Sequence, residues 1–240
     1  MDTQQPLAPK VILGVVAHPD DLDFGASGTI AHFVDSGVKV YYLILTDGQK
    51  GTADQQLSPE ELVQQRKNEQ QAAAKILGVS DVAFLDYEDG ALEVSMNLKK
   101  DIVRHIRQIK PDVLITMDPS MLYSAERGFI NHPDHRAAGQ AALDAVYPLA
   151  RDHLSFPDLQ KEGLQPHKVA TVLLINFEKQ NYYVDITTTI DKKLAAIAAH
   201  SSQVAGTNGP QDMIKQIAAA TGRHTGSQYA EGFLRIDVRP

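Results

Sequence analysis

The run Val11-Ile12-Leu13-Gly14-Val15-Val16-Ala17-His18-Pro19-Asp20-Asp21 decides how this chain is read. An unbroken apolar stretch without polar alternation fits a strand buried on both faces. Pro19 ends it. His18, Asp20 and Asp21 are groups that bind metals or move protons. They are thereby delivered at the strand's carboxyl end, the edge at which open α/β sheets bind ligands. Nearly the same letters return as His132-Pro133-Asp134-His135, after a second apolar strand candidate, Val113-Leu114-Ile115-Thr116-Met117. The two runs read as two halves of one metal site.

Outward from the first run, Gly25 and Gly28 suggest a loop whose backbone passes close to something, then a helix over 29–35 that Gly37 ends. Residues 38–45 read as a second strand, stopping at the turn Thr46-Asp47-Gly48. Ser58-Pro59-Glu60-Glu61 is a capping box with proline at the first helical position, and Gly78 closes the helix it starts. A short strand at 82–85, a helix at 98–109 stopped by Pro111, and the strand at 113–117 follow. Residues 118–131 form a long loop, and 135–147 an alanine-rich helix. The segment 151–167 reads as a surface excursion. Strands at 169–175 and 182–186 pair as a hairpin around Lys179-Gln180-Asn181, and helices at 189–200 and 212–221 flank a loop at 206–210. Alternating β and α elements predict a doubly wound, mostly parallel α/β sheet. No linker divides residues 1–240, so a single domain is expected.

Composition narrows the function classes. Thirty acidic against 23 basic residues leave a net charge of -7, with no dense basic run, so no nucleic-acid partner is expected. The absence of cysteine excludes disulfides, a thiolate nucleophile and a cysteine zinc site. No signal-peptide pattern and no apolar stretch near the ~20 residues of a membrane helix is visible, so a soluble cytoplasmic protein without a membrane span is expected.

A catalytic zinc takes three nitrogen or oxygen ligands and keeps one position open for water. Adjacent Asp20 and Asp21 point apart on an extended backbone, so one can bind metal while the other faces the water as a base. His132 and His135 share a side if they open a helix, so one can bind metal while the other acts as an acid. Asp134 either orients an imidazole and favours its cation or serves as a helix N-cap. Arg66, in a charged helix, reads as part of a solvated face. His200 either caps its helix or lines the pocket. Spacing alone does not assign the roles.

The pairing of Ala17-His18-Pro19-Asp20-Asp21 with His132-Pro133-Asp134-His135-Arg136 resembles the LmbE-like (PIG-L) family of zinc-dependent N-acetylglucosaminyl deacetylases. Thr46-Asp47-Gly48, Arg66-Lys67-Asn68-Glu69, His200-Ser201-Ser202-Gln203 and Glu231-Gly232-Phe233 match it as well. The resemblance implies a Rossmann-like fold, with His18, Asp21 and His135 as ligands of one Zn2+, a site that Fe2+ or Co2+ would also fit. It implies Asp20 as general base, His132 as the acid helping the oxyanion and leaving amine, Asp134 beside it, and Arg66 as a substrate contact. It also implies a small-molecule amino-sugar conjugate as partner, and a homo-oligomer, since family members often oligomerise. Leu22 and Ile130 depart from the family pattern, standing where a glutamate and, in some subfamilies, a tyrosine are found. Removal of an acetyl group from an N-acetylglucosamine-type conjugate is thus the expected reaction. The alternatives are hydrolysis of a larger acyl amide and a non-catalytic sugar-binding protein on the same fold.

Overall fold

Strand β1 (Val11–Val16) sits at the middle of the molecule because neither of its faces tolerates water. Ile12 and Val16 enter the apolar layer on one side of the sheet, and Leu13, Val15 and Ala17 enter the layer on the other. The computed structural model describes residues 5–52, 54–126, 128–204 and 210–239. After β1 come α1 (Asp21–Asp35), β2 (Lys39–Thr46), α2 (Pro59–Leu77), β3 (Asp81–Tyr87), α3 (Met96–Ile109) and β4 (Val113–Met117). A small hairpin follows, β5 (Tyr123–Ser124) with β6 (Phe129–Ile130), and then α4 (Pro133–Asp144) and α5 (Pro157–Lys161). The chain ends with β7 (Thr171–Ile175), β8 (Tyr182–Asp185), α6 (Ile190–Ala198), α7 (Ser201–Val204), α8 (Pro210–Gly222) and β9 (Ala230–Asp237).

The main sheet has the order β3-β2-β1-β4-β7-β9-β8. Only β9 runs against its neighbours. From β1 the chain winds outward through β2 to β3, then crosses back to place β4 on β1's free side, with Gly14 opposite Ile115. The topological switch point therefore lies between β1 and β4, and each strand hands its chain to one half of the site there. Helices α1, α2, α6 and α8 supply the apolar layer on one face, and α3 and α4 supply the other.

Four expectations need correction. The helix after the first run begins at Asp21, eight residues before the expected start at 29, so Gly25 and Gly28 lie inside α1. They serve close packing: a Cβ at Gly25 would come within 2.7 Å of Ile175 Cδ1, and one at Gly28 within 2.7 Å of Ile186 Cδ1. The strands expected at 169–175 and 182–186 do not pair as a hairpin, because β9 lies between them. The long loop at 118–131 carries the β5–β6 hairpin, and the excursion at 151–167 carries α5. Helix α4 begins at Pro133, two residues before the expected start at 135. The loop expected at 206–210 lies, apart from Pro210, outside the described residues. The capping box at Ser58 is formed as read: its side chain accepts the Glu61 N–H, and Glu61 accepts the Ser58 N–H in return.

Candidate metal centre and active site

The two runs meet. His18 Nδ1 lies 3.3 Å from His135 Nε2 and 3.5 Å from Asp21 Oδ2, and His135 Nε2 lies 3.0 Å from Asp21 Oδ1. Ligands about 2.0–2.1 Å from a tetrahedral zinc are about 3.3 Å apart. The three donor groups therefore fit around one ion. Two imidazole nitrogens at such a distance need either a proton or a cation between them. His132 brings a third ring nitrogen within 4.8 Å of the His18 and His135 donors. A second grouping of His18 with Asp89 and Asp134 also satisfies a metal-site distance. Its carboxylates, however, already accept hydrogen bonds. Asp89 Oδ1 and Asp134 Oδ2 lie 3.1 and 3.3 Å from His18 Nε2. Asp134 takes the N–H groups of Gly90 and Leu92, and Asp89 that of Lys50. These two aspartates therefore fix the His18 tautomer, with the proton on Nε2 and the lone pair of Nδ1 aimed at the first triangle.

The electrostatics call for positive charge. Burial alone would lower the His18 pKa, but hydrogen bonds to Asp134, Asp21 and Asp89 push it up to about 12. Burial would raise Asp21, yet the facing His135 and His18 hold it well below the usual carboxylate range. Asp89 is likewise held down to about 2, against the effect of burial, chiefly by His18.

Asp20 has a different environment. Its backbone is left-handed, with φ 94° and ψ -28°, a strained state for a residue other than glycine. It precedes α1 without using its side chain as a cap. Its carbonyl takes the N–H groups of Asp23 and Phe24 at 2.8 and 3.0 Å, which leaves the carboxylate to the site. Burial and the adjacent Asp21 charge raise its pKa to about 7, opposed by the Arg66 charge. Arg66 is buried, and its contacts are with the chain itself. Nη2 donates to the Pro19 carbonyl at 2.8 Å and to Asp20 Oδ2 at 3.4 Å, and Nη1 donates to the Gly48 carbonyl at 3.2 Å.

His132 occupies the N-cap of α4, and its Nδ1 accepts the Asp134 N–H at 3.2 Å. The proton of the neutral ring therefore belongs on Nε2. The Asp134 charge pushes the His132 pKa upward, as a neighbouring carboxylate should, but it is outweighed. The Asp134 carboxylate turns to His18, while burial and the positive charges of His18 and His135 keep His132 below the ordinary imidazole value. Asp134 is not the N-cap either, because His132 holds that position.

A family model described as "PIG-L: GlcNAc-PI de-N-acetylase" matches residues 13–146, more than half of the chain and both runs. The chain belongs to the PIG-L family. This PIG-L chain is 36% identical over 230 residues to a diacetylchitobiose deacetylase of Thermococcus kodakarensis, covering 93% of itself and 82% of that protein. It is 28% identical over 249 residues to a 1D-myo-inositol 2-acetamido-2-deoxy-alpha-D-glucopyranoside deacetylase of Salinispora arenicola, covering 93% and 75% respectively. The solved structure of N,N'-diacetylchitobiose deacetylase from Pyrococcus horikoshii with an inhibitor superposes with a TM-score of 0.90 at 34% identity, covering 99% of this chain and 88% of that one.

Sequence reasoning missed the groups behind the PIG-L site. Asp89 is a single aspartate in a loop after β3 and has no periodic signal. Asp23 and His200, both buried, pair at 2.7 Å across 177 positions. Gln70 ties this pair to Asp20: its amide N–H donates to Asp23 Oδ2, and its Oε1 accepts the Asp20 N–H, each at 2.8 Å. A buried ion pair, Lys193 to Glu231 at 2.7 Å, braces α1 from the far side. Lys193 donates to the Asp23 and Phe24 carbonyls, while Glu231 accepts the Gly28 and Thr29 N–H groups. The family letters at His200 and Glu231 were visible in sequence, but their partners Asp23 and Lys193 were not. Among the described residues, no helix is long and apolar enough to cross a membrane.

Proposed function

We propose that this PIG-L chain is a zinc-dependent hydrolase that removes the acetyl group from an N-acetylglucosamine-type sugar conjugate. The observation that carries the reading is the convergence of His18 Nδ1, His135 Nε2 and the Asp21 carboxylate at 3.0–3.5 Å, beside the Asp20 carboxyl. The relatives named as deacetylases of acetamido sugars support the substrate class. Two imidazoles and one carboxylate are a donor set that suits zinc, and His18, Asp21 and His135 would hold it. When bound, the ion supplies a Lewis acid for the amide carbonyl and a lowered pKa for the attacking water.

Asp20 takes a proton from that water. Its carboxyl, which burial and the adjacent Asp21 charge push upward, accepts that proton and returns it to the departing nitrogen. The C–N bond breaks, a C–O bond forms, the water's oxygen ends in acetate, and its proton ends on the free amine. His132 donates its Nε2–H to the oxyanion. This neutral donor role replaces the protonating acid implied by resemblance, because Asp134 serves His18 instead. Arg66, which holds the Pro19 carbonyl and the Asp20 carboxylate, positions the base.

The test is a panel of acetamido sugars, N,N'-diacetylchitobiose and inositol conjugates among them, assayed with zinc-loaded protein for both acetate and free amine. Equal release of the two is expected from at least one member. Elemental analysis of His135→Ala should find the ion lost along with turnover. Amine release without acetate, or full metal content in His135→Ala, would sink the reading.

A further inference from the structure

We infer that the site accepts acyl groups longer than acetyl, with their tails lying in an apolar cavity beside the metal-binding triangle. The inference rests on the N-deacylase reading. Asp21 and His135 border a cavity of about 240 Å³ whose walls are Phe24, Met117, Met121, Phe129, Ile175 and Phe177. A methyl group takes up about as much space as one water, roughly 30 Å³, so an acetyl group leaves most of this volume empty. Apart from Asp21 and His135, the polar side chains at its edge are Asp118 and Asn131, and both are held by the chain itself. Asp118 accepts the Ser120 N–H at 2.7 Å and the Asn176 Nδ2–H at 2.5 Å, and Asn131 Nδ2 donates to the Met121 carbonyl at 2.8 Å. With so few polar groups in the wall, most hydroxyls of a sugar ring seated there would lack partners, which is costly, whereas an alkyl chain needs none. Phe24 and Phe177 also line a neighbouring cavity of about 140 Å³, so their rings partition the two spaces. That second cavity touches none of the reacting residues.

Glucosamine glycosides that differ only in their acyl group, acetyl, butanoyl or hexanoyl, test the inference. Burial of each added methylene should raise kcat/KM about fourfold, so butanoyl should exceed acetyl by roughly fifteenfold. Calorimetric binding of acetate, butanoate and hexanoate to the zinc-loaded protein should show the same rise without any turnover. Met121→Trp fills the cavity and should lower the hexanoyl-to-acetyl ratio at least tenfold. Phe24→Ala opens the partition and should raise that ratio, which keeps the test alive if the tryptophan variant does not fold. A binding and rate series that is flat or falls with chain length overturns the inference, and so does a Met121→Trp effect equal for all chains. Loss of turnover on every amide, with the carboxylate series still rising, would refute the deacylase reading and leave the apolar subsite standing.

Discussion

Replacing Asp20 with asparagine separates the cost of the base to the fold from its service to the reaction. In metal-stripped protein the folded Asp20 carboxyl titrates at about 7, above its ordinary value of 3.8. Between those values the folded protein holds a proton that the unfolded chain has released. Wild-type stability therefore falls as pH rises from about 4 to about 7. At 1.36 kcal/mol per unit this amounts to roughly 4 kcal/mol over the whole interval, of which roughly 3 kcal/mol falls above about pH 4.5. Asparagine does not titrate, so Asp20→Asn lacks this loss. Urea unfolding of both proteins in chelator, from about pH 4.5 to about pH 7.5, should show the variant's relative stability growing by the latter amount. The zinc-loaded variant should meanwhile lose roughly 10²–10⁴ in turnover. A stability difference that stays constant across this range, or grows toward acid, would mean that Asp20 is ionised throughout, and the reasoning that makes it a near-neutral base would fail.

Asp89→Asn keeps the shape beside His18 Nε2 but removes a charge that fixes the tautomer, so zinc affinity should fall about 10–100-fold in competition with a fluorescent chelator. Unchanged affinity would leave Asp134 as the sole orienting partner. Lys193→Met strands the buried Glu231 carboxylate and should cost about 3–5 kcal/mol in urea unfolding, while the double variant Lys193→Met/Glu231→Gln recovers at least half of it. Equal losses in the two would show that the pair contributes packing and no charge balance.

The parts of this protein that were legible in sequence are those whose cause is local. An apolar run stopped by Pro19, and a capping box at Ser58, act within a few residues of themselves. The recurrence of His-Pro-Asp at 18 and 132 brought both halves of the site into view. What stayed hidden depends on partners far along the chain. Strand β9 includes Glu231, Gly232 and Arg235, a poor strand composition, and it sits inside the sheet because Lys193 neutralises Glu231 and Arg235 reaches Asp237. The early start of α1 was masked by Gly25 and Gly28, which read as a loop until Ile175 and Ile186 are seen against them. Asp134 was assigned to the wrong imidazole because the nearer histidine in sequence is not the one its carboxylate meets.

The braces from α6 and β9 imply a division of the chain by inheritance. Every group proposed to react, from His18 to His135, lies in the stretch matched by the family model, residues 13–146. Ile175 and Phe177, which close the apolar cavity, come later, as do His200, Lys193 and Glu231, which hold α1 in place. Chemistry and substrate fit are therefore shared out unequally: Phe24, Met117, Met121 and Phe129 lie in the same stretch as the reacting groups, and the later part of the chain adds only Ile175 and Phe177 to the named walls. A recombinant that takes its last third from a relative should keep the reaction and shift the acyl preference only through those two walls, provided that the buried lysine, histidine and glutamate travel with it.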